Sequence, residues 1–315
     1  MPQLQDIHLD EALTHVSIAY RNEDFIADRI APRVAVRRQT DRYYIHNAQR
    51  EWMRPSIDTR APGAESQELD FSLSTDNYFC DDHALAAYVP DEERDNADTA
   101  ILPDIDRVEY LTERLLLNRE VHLAARLASH TSIPETNVAA DLPWDDPASQ
   151  PLVTLSQAAN TISAAVQRRP NTLLLAPQVF EALRHHPTIV DRLKYTQASA
   201  IGAQALAALL DVDQVLVGRA SVNTAAEGKP AVTAPVWGLH AYLLHVPSRP
   251  GLRTLAGAYT FVWAGTRGAQ ASGLAVERWR EPRRKADGLR VQMYYDHKIT
   301  APQAIHRLVN CIQAG

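Results

Sequence analysis

The sequence predicts an α+β protein in which an α/β layer is inserted between two β-rich parts. Three observations support this fold class. Stretches with alternating apolar and polar side chains occur near the start, at 68–79, and near the end, at 275–299. A single long amphipathic helix is predicted over 104–129. From 153 to 264, short buried strands alternate with helices, which is typical of a compact α/β layer.

The first forty residues contain three short apolar patches, at 16–19, 25–30 and 34–36, interrupted by Pro32 and by charges. Each patch is too short to form a core, and 25–30 is predicted to form one or two helical turns. We therefore expect this segment to lie on a partner surface, either within the chain or on another subunit.

Two predicted strands, 42–47 and 68–79, enclose a flap of about twenty residues rich in Arg, Pro and polar side chains. Hairpin loops are mostly two to five residues long, and structureless loops beyond about a dozen residues are uncommon unless they are functional or disordered. The return strand alternates apolar and polar side chains in 69–74, so one of its faces is expected to be covered. We expect the flap either to be flexible or to lie on another surface.

The long helix is predicted to begin at Pro103-Asp104 and to end near Ser129. Because its apolar residues form one broad stripe without a strict heptad, we expect it to lie on a sheet and not in a coiled coil. The stripe comprises Ile105, Val108, Leu111, Leu115, Leu116, Leu123 and Leu127, and the opposite side is predicted to carry Arg107, Glu113, Arg114 and Glu120.

The α/β layer has helices predicted at 155–169, 177–185, 188–195 and 203–210, and strands at 171–176, 213–217, 237–246 and 259–264. Two alternating strands, AVERWREP and LRVQMYYDHKI, follow and are joined by the turn-like RRKADG. Residues 304–312 are compatible with either a strand or a helix.

Composition excludes several classes of protein. The 315 residues are 45% hydrophobic, enough for a real core, and contain no run of eighteen apolar residues that would span a membrane. A net charge of −6 argues against a dedicated nucleic-acid binder, and two distant cysteines with no secretory signal indicate a reducing site of synthesis. Only four of the 32 basic residues are lysine, which suits bidentate interface contacts or reflects a GC-rich genome.

No catalytic or cofactor motif is present in the sequence. Neither phosphate-binding glycine pattern occurs, and GRASV and QASGL miss the nucleophile-elbow spacing. The run Cys80-Asp81-Asp82-His83 contains metal-ligand types, but adjacent strand residues point to opposite faces, so a solvated strand end is favoured. We expect no cofactor and no enzymatic activity.

Three further clusters have ordinary structural interpretations. His185-His186 are expected to cap a helix C-terminus, and the pairs Asp145-Asp146 and Asp91-Glu92-Glu93 to be solvated loop acids. The RWREPRRK segment, 278–285, is interpreted either as a phosphate-contacting patch or as a hairpin whose basic face meets water or acidic neighbours, and we favour the hairpin.

The order of these elements and the amino-acid sequences of several blocks resemble those of the major capsid proteins of tailed bacteriophages. The blocks are IAYRNEDFIADRIAPRVAVRRQTDRYYIHN, DDHALAAYVPDEERDNAD, NTLLLAPQVFEALRHHPTIVDRLKYT, VLVGRASVNTAAEG and VWGLHAYLLHVP. The resemblance implies the capsid fold of the Hong Kong ninety-seven type, shared with encapsulins and the herpesvirus shell floor. That fold has an N-arm, an extended β-hairpin loop, a long spine helix in a peripheral domain and an inserted α/β axial domain.

The resemblance also implies a division of the chain. Residues 1–40 correspond to the N-arm, 41–80 to the extended loop, 81–152 and 265–315 to the peripheral domain, and 153–264 to the axial domain. The extended loop is then expected to lie across a neighbouring subunit, and Trp, Met and Arg are enriched at such interfaces. We predict contacts from Arg50, Trp52, Met53, Arg54 and Arg60.

The resemblance implies self-assembly into pentamers and hexamers of an icosahedral head around double-stranded DNA, in the virion, after synthesis in the host cytoplasm. Expected partners are sister copies and scaffolding, portal and decoration proteins. Two features differ from some relatives: the arm begins within the first residues, so scaffolding is expected to be separate or unnecessary, and 41–80 contain no lysine for an isopeptide lock.

Two alternatives stay open at this stage. An encapsulin-like compartment would use the same fold for a protein cargo, although no cargo-docking groove is evident. An α/β enzyme with scattered pocket residues is the alternative from another class of function.

Overall fold

The computed structural model describes residues 7–20, 22–45, 59–60, 62–63, 65, 74–97, 102–193, 202–265 and 272–313. Its helices are α1 Glu11–Ala19, α2 Ala27–Ile30, α3 Asp91–Asp95, α4 Pro103–Ser129, α5 Pro151–Val166, α6 Pro177–His185, α7 Pro187–Leu193 and α8 Ala203–Leu209. Its strands are β1 Ile7–Leu9, β2 Arg33–Val36, β3 Thr40–Ile45, β4 Ser74–Phe79, β5 Asp81–Pro90, β6 Glu135–Asn137, β7 Thr172–Leu175, β8 Gln214–Val217, β9 Ser221–Asn223, β10 Thr233–Pro235, β11 Ala241–Leu244, β12 Ala258–Trp263, β13 Leu274–Glu281, β14 Ala286–Ile299 and β15 Ile305–Val309.

A six-stranded sheet in the order β1-β13-β14-β12-β2, with β5 on the other side of β14, forms one half of the molecule. The 14-residue strand β14 organises this sheet, because it pairs antiparallel with three strands. β13 and β5 pair with its first part, at 286–293 and 286–295, and β12 pairs with its end, at 295–299. Its inward side chains alternate, and Leu289, Val291 and Met293 are fully buried against the long helix.

Helix α4 is the predicted long helix, and its observed start and end confirm that prediction. It has 27 residues, about 40 Å of rise, and begins with Pro103 at its first position. It packs on β14 and β5, as expected for a helix lying on a sheet. Its last carbonyls, those of Leu127 and Ala128, accept hydrogen bonds from the Arg307 guanidinium, which also pairs with Glu135.

One part of the helix prediction is wrong. Glu120 is completely buried, not on the solvent side, and its neighbour Arg119 is buried with it. The spacing contains the reason, because Glu120 lies four residues after Leu116 and three before Leu123, on the apolar stripe itself.

The inserted layer is a five-stranded sheet in the order β6-β15-β11-β7-β8, accompanied by α5 to α8. The predicted helices and the strands β7 and β8 occur within a few residues of their expected bounds. The strand predicted over 237–246 is shorter, because Gly238 takes a φ of +61° and the chain turns before β11 begins at Ala241. Trp237 is instead buried in that turn.

Pairing also resolves the ambiguous C-terminal segment. Ile305–Val309 is a strand that pairs antiparallel with β11, so it lies in the five-stranded sheet. Conversely, β12 pairs with β14 in the six-stranded sheet. Both strands therefore cross the domain boundary expected at 264/265.

The described part of the N-terminal segment finds its surface within the chain. Strand β1 pairs with β13, β2 pairs in parallel with β12, and the α1 residue Ser17 hydrogen-bonds to Thr112 of α4. Within the described residues, no helix combines the length and apolarity needed to cross a bilayer.

Candidate inter-subunit surfaces and buried junctions

The flap rises from a separate two-stranded sheet formed by β3 and β4. Its base is fixed to the body by an aromatic cluster, in which Tyr43 and Tyr78 lie 5.4 and 4.8 Å from the ring of Phe261. The backbone N–H of Phe79 donates to Asp296 Oδ2 at 3.0 Å, and that of Cys80 donates to the Gln39 carbonyl at 2.9 Å. The flap therefore leaves the body from a firmly packed root.

The predicted contact residues of the flap fall mostly beyond what can be described. Arg50, Trp52, Met53 and Arg54 lie outside the described residues. Arg60 is described and is exposed to solvent. Sequence reasoning missed the root residues Tyr43 and Tyr78, although tyrosines at 43, 44 and 78 mark both strands.

Glu120 forms a buried junction between three parts of the chain. Its carboxylate accepts hydrogen bonds from the backbone N–H groups of Ile26 and Ala27, at 3.2 and 2.8 Å, and from Trp237 Nε1 at 2.9 Å. Burial raises the pKa of Glu120, and these donors and Arg119 oppose that rise. The start of α2, the spine helix α4 and the turn before β11 thus converge on one side chain.

Arg119 extends this junction to the N-terminal segment. Its Nη2 atom lies 2.8 Å from Asp28 Oδ1, and Arg33 binds the same carboxylate with two hydrogen bonds. Burial alone would raise the pKa of Asp28, but the two arginines lower it to about 2. Nearby, His297 Nε2 donates to the Arg119 carbonyl at 3.2 Å and Nδ1 lies 2.9 Å from Thr260 Oγ1. Burial lowers the pKa of His297 to about 3, so it is neutral at pH 7.

A second charged cluster, here called the Asp287 hub, closes the end of the six-stranded sheet. Asp287 lies 2.9 Å from Arg94, 2.5 Å from Arg278 and 3.1 Å from Arg280. Arg94 also pairs with Asp104 at 2.7 Å, and Arg280 with Asp91 at 2.5 Å. The hub therefore ties α3, the start of α4 and the β13–β14 hairpin together.

This hub decides how RWREPRRK is interpreted. The segment is a hairpin, and two of its arginines, Arg278 and Arg280, are engaged by carboxylates within the chain. The tip residues Arg283, Arg284 and Lys285 are exposed, and the Arg284 guanidinium lies 4.4 Å from the ring centre of Tyr88. The structure supports the hairpin with acidic neighbours over a continuous phosphate-binding patch.

The other predicted clusters have structural partners. Cys80 is buried against the Phe261 carbonyl, and burial raises the pKa of its thiol to about 12. Asp82 accepts a hydrogen bond from Tyr294. His185 is the last residue of α6 and His186 is its C-cap, so their expected place at the helix C-terminus is confirmed. The His186 side chain is buried and contacts Ser149 and Thr188, and His185 is exposed beside Glu181. In the described ranges, no group of three His, Cys, Asp or Glu side chains could hold a metal ion.

A cavity of about 360 Å³ lies between α5 and the end of α8. Its floor is apolar, including Leu155 and Leu243, and its rim carries Arg169, Arg192 and Asp211. Arg169 is paired with Asp211 at 3.0 Å. The described residues that line this cavity include no Cys or His.

Comparison with known proteins connects this architecture to viral shells. No family model matches the chain. The major capsid protein of Pseudomonas phage JBD67 is 30% identical over 272 residues, which cover 84% of this chain and 85% of that protein. The major capsid protein of Burkholderia phage BcepMu is 25% identical over 247 residues, covering 77% and 78%.

Solved structures show the same fold. A phage-related protein from Bordetella bronchiseptica superposes with a TM-score of 0.78 at 22% identity, covering 97% of this chain and 99% of that one. The capsid of cyanophage P-SCSP1u superposes with a TM-score of 0.57 at 12% identity, covering 92% and 89%. The α+β capsid fold expected from the resemblance is confirmed, and this chain belongs to the bacteriophage major capsid proteins.

Proposed function

We propose that this structural capsid protein assembles into pentamers and hexamers of an icosahedral head that encloses double-stranded DNA. Residues 1–40 serve as N-arm, 41–80 as extended loop, 81–152 and 265–315 as peripheral domain, and 153–264 as axial domain, with β12 and β15 crossing between the last two. The chain performs no catalysis, is made in the host cytoplasm, and works with scaffolding, portal and decoration proteins.

The observation that carries this proposal is the root of the flap. An isolated two-stranded hairpin is at best marginally stable in water. Here the β3–β4 root is held by Tyr43, Tyr78 and Phe261, whereas the Trp, Met and Arg side chains lie further along the flap. A rigid root supports a flap whose contacts are completed by a neighbouring copy, through Arg50, Trp52, Met53, Arg54 and Arg60. Weak contacts then add up over a closed, symmetric shell.

Deleting residues 48–66 tests this role directly. We expect the variant to keep its secondary structure by circular dichroism, because the root and both cores remain, and to elute as a small species in size-exclusion chromatography. The intact chain should elute as capsomers or particles visible by negative-stain microscopy.

The matched control deletes 225–230, an exposed loop between β9 and β10. This control should assemble like the intact chain. Normal particles from the 48–66 deletion would refute the role of the flap, and an intact chain that stays monomeric at high concentration would refute the shell function itself.

A further inference from the structure

Strand β5 is paired along one edge only. Its ten residues pair with β14 from Asp81 opposite Tyr295 to Pro90 opposite Ala286. Within the described part of the chain, no strand pairs with its other edge. Alternate N–H and C=O groups of β5 therefore point away from the sheet, which makes this edge a template for an added strand.

The central part of the edge, residues 83–89, lacks the usual features that prevent strand addition. Proteins protect edge strands with Lys, inward charges, bulges or very short strands. Residues 83–89, HALAAYV, contain no Lys, Arg, Asp or Glu, and Pro90 stands only at the end. Ala84 and Ala86 are exposed, whereas Leu85 and Ala87 pack inward toward the spine helix. Small outward side chains leave the edge open to a close neighbour.

Charge is distributed unequally along this edge. Asp81 and Asp82 are exposed at the start of β5. At its other end the Arg284 guanidinium lies over Tyr88, next to exposed Arg283 and Lys285. A strand that is acidic at one end and flanked by basic side chains at the other is complementary to an antiparallel copy of itself.

We propose that β5 of one copy pairs antiparallel with β5 of a second copy around a two-fold axis perpendicular to the sheet near Ala86. This inference rests on the proposed shell function, because it needs a second copy. Such an axis keeps the spine helices of both copies on the same face of the joined sheet, as a curved shell with one inner surface requires. Ala86 then lies opposite Ala86 of the partner subunit, and Asp82 lies near Arg284 of the partner subunit.

Cysteine cross-linking tests this geometry. Ala86→Cys should form a disulfide-linked dimer when the assembled protein is oxidised, because opposite residues in a sheet lie within disulfide distance. The native Cys80 and Cys311 are buried and should give little background. The matched control is Val232→Cys, which is also exposed but lies just before β10, outside the six-stranded sheet. This variant should stay monomeric under denaturing conditions.

Charge exchange provides a second test that does not depend on oxidation. Ala86→Lys and Ala86→Glu each place like charges face to face across the axis and should reduce particle yield about tenfold or more. Co-expression of the two variants should restore assembly, because the opposite charges then meet. The exposed, uncharged control Ala86→Ser should assemble normally.

The outcomes separate the two proposals. If the unmodified chain assembles but Ala86→Lys assembles equally well, the pairing is wrong and the shell function stands. If Ala86→Cys cross-links to Ser72→Cys and not to itself, a neighbouring flap occupies this edge and the proposed pairing is again wrong. If the unmodified chain forms no higher species, the shell function fails first.

Discussion

At the scale of single residues, Glu120 is a buried side chain that joins three segments of the chain. Three donors from two other parts of the chain, the start of α2 and the turn before β11, converge on its carboxylate. A buried donor that loses its acceptor costs more free energy than the hydrogen bond itself contributes. Sequence reasoning placed Glu120 in solvent because charged residues are mostly exposed, although its spacing placed it among buried leucines.

We predict that Glu120→Ala lowers the free energy of unfolding by about 2–4 kcal/mol, because it leaves three buried donors unsatisfied. Glu120→Gln keeps one acceptor oxygen and should lose less. Urea denaturation measures both. The control is Glu109→Ala on the exposed face of the same helix, which should change the stability little; equal losses at 109 and 120 would contradict the junction.

The Asp287 hub predicts a pH dependence. Burial would raise the pKa of Asp287, but hydrogen bonds from Arg278 and Arg280 and the charge of Arg94 lower it below the usual range. A carboxyl with a lowered folded-state pKa contributes stability above its unfolded pKa of about 4, and this contribution is lost as the pH falls further.

We therefore expect the melting temperature of the intact chain to fall below about pH 4 more steeply than that of Asp287→Asn, which has already lost this contribution at pH 7. Asp106→Asn, exposed on the spine helix, should follow the intact chain. Parallel curves for the intact chain and Asp287→Asn would show that the hub does not stabilise the fold.

At the scale of elements, the outer face of the six-stranded sheet depends on a close approach at one glycine. Trp279 of β13 lies across Gly288 of β14 and contacts Tyr88 of β5 edge to face, with ring centres 6.0 Å apart. A Cβ atom at Gly288 would lie 2.2 Å from Trp279 Cε2. Three strands are thus locked together by one indole that only glycine admits.

Gly288→Ala should displace Trp279 and lower the free energy of unfolding by about 1–3 kcal/mol, as overpacking does. Tryptophan fluorescence and denaturant unfolding report the two effects. Gly202→Ala is the control, because its added Cβ meets nothing within 4 Å. Unchanged fluorescence and stability in Gly288→Ala would show that the indole can move without cost.

At the scale of the whole molecule, we expect the extended loop to form no covalent bond to a neighbouring copy. An isopeptide bond needs an amine, and residues 41–80 contain no lysine. In mature particles boiled in detergent, this chain should therefore run as one band at its mass of 35.0 kDa, without bands at multiples of that mass. A ladder of covalent multimers on denaturing electrophoresis would contradict this prediction.

The molecule also shows how far sequence patterns reach. The spine helix and the strands β7, β8, β13 and β14 follow from local periodicity and from proline at helix starts, because both act over a few residues. The flap contacts Arg50, Trp52, Met53 and Arg54 stay predictions, since they concern a surface on another copy.

The sequence by itself therefore determined the fold class, the long helix, the order of elements and the resemblance to viral shell proteins. Only the tertiary structure decided that β15 completes the five-stranded sheet and β12 the six-stranded one, that Glu120 joins three segments, and that the arginines of 278–280 face carboxylates. The physical reason is that hydrophobic periodicity lies within each element, whereas strand pairing and the burial of charge depend on partners in other elements, which for Glu120 and Trp237 are 117 positions apart.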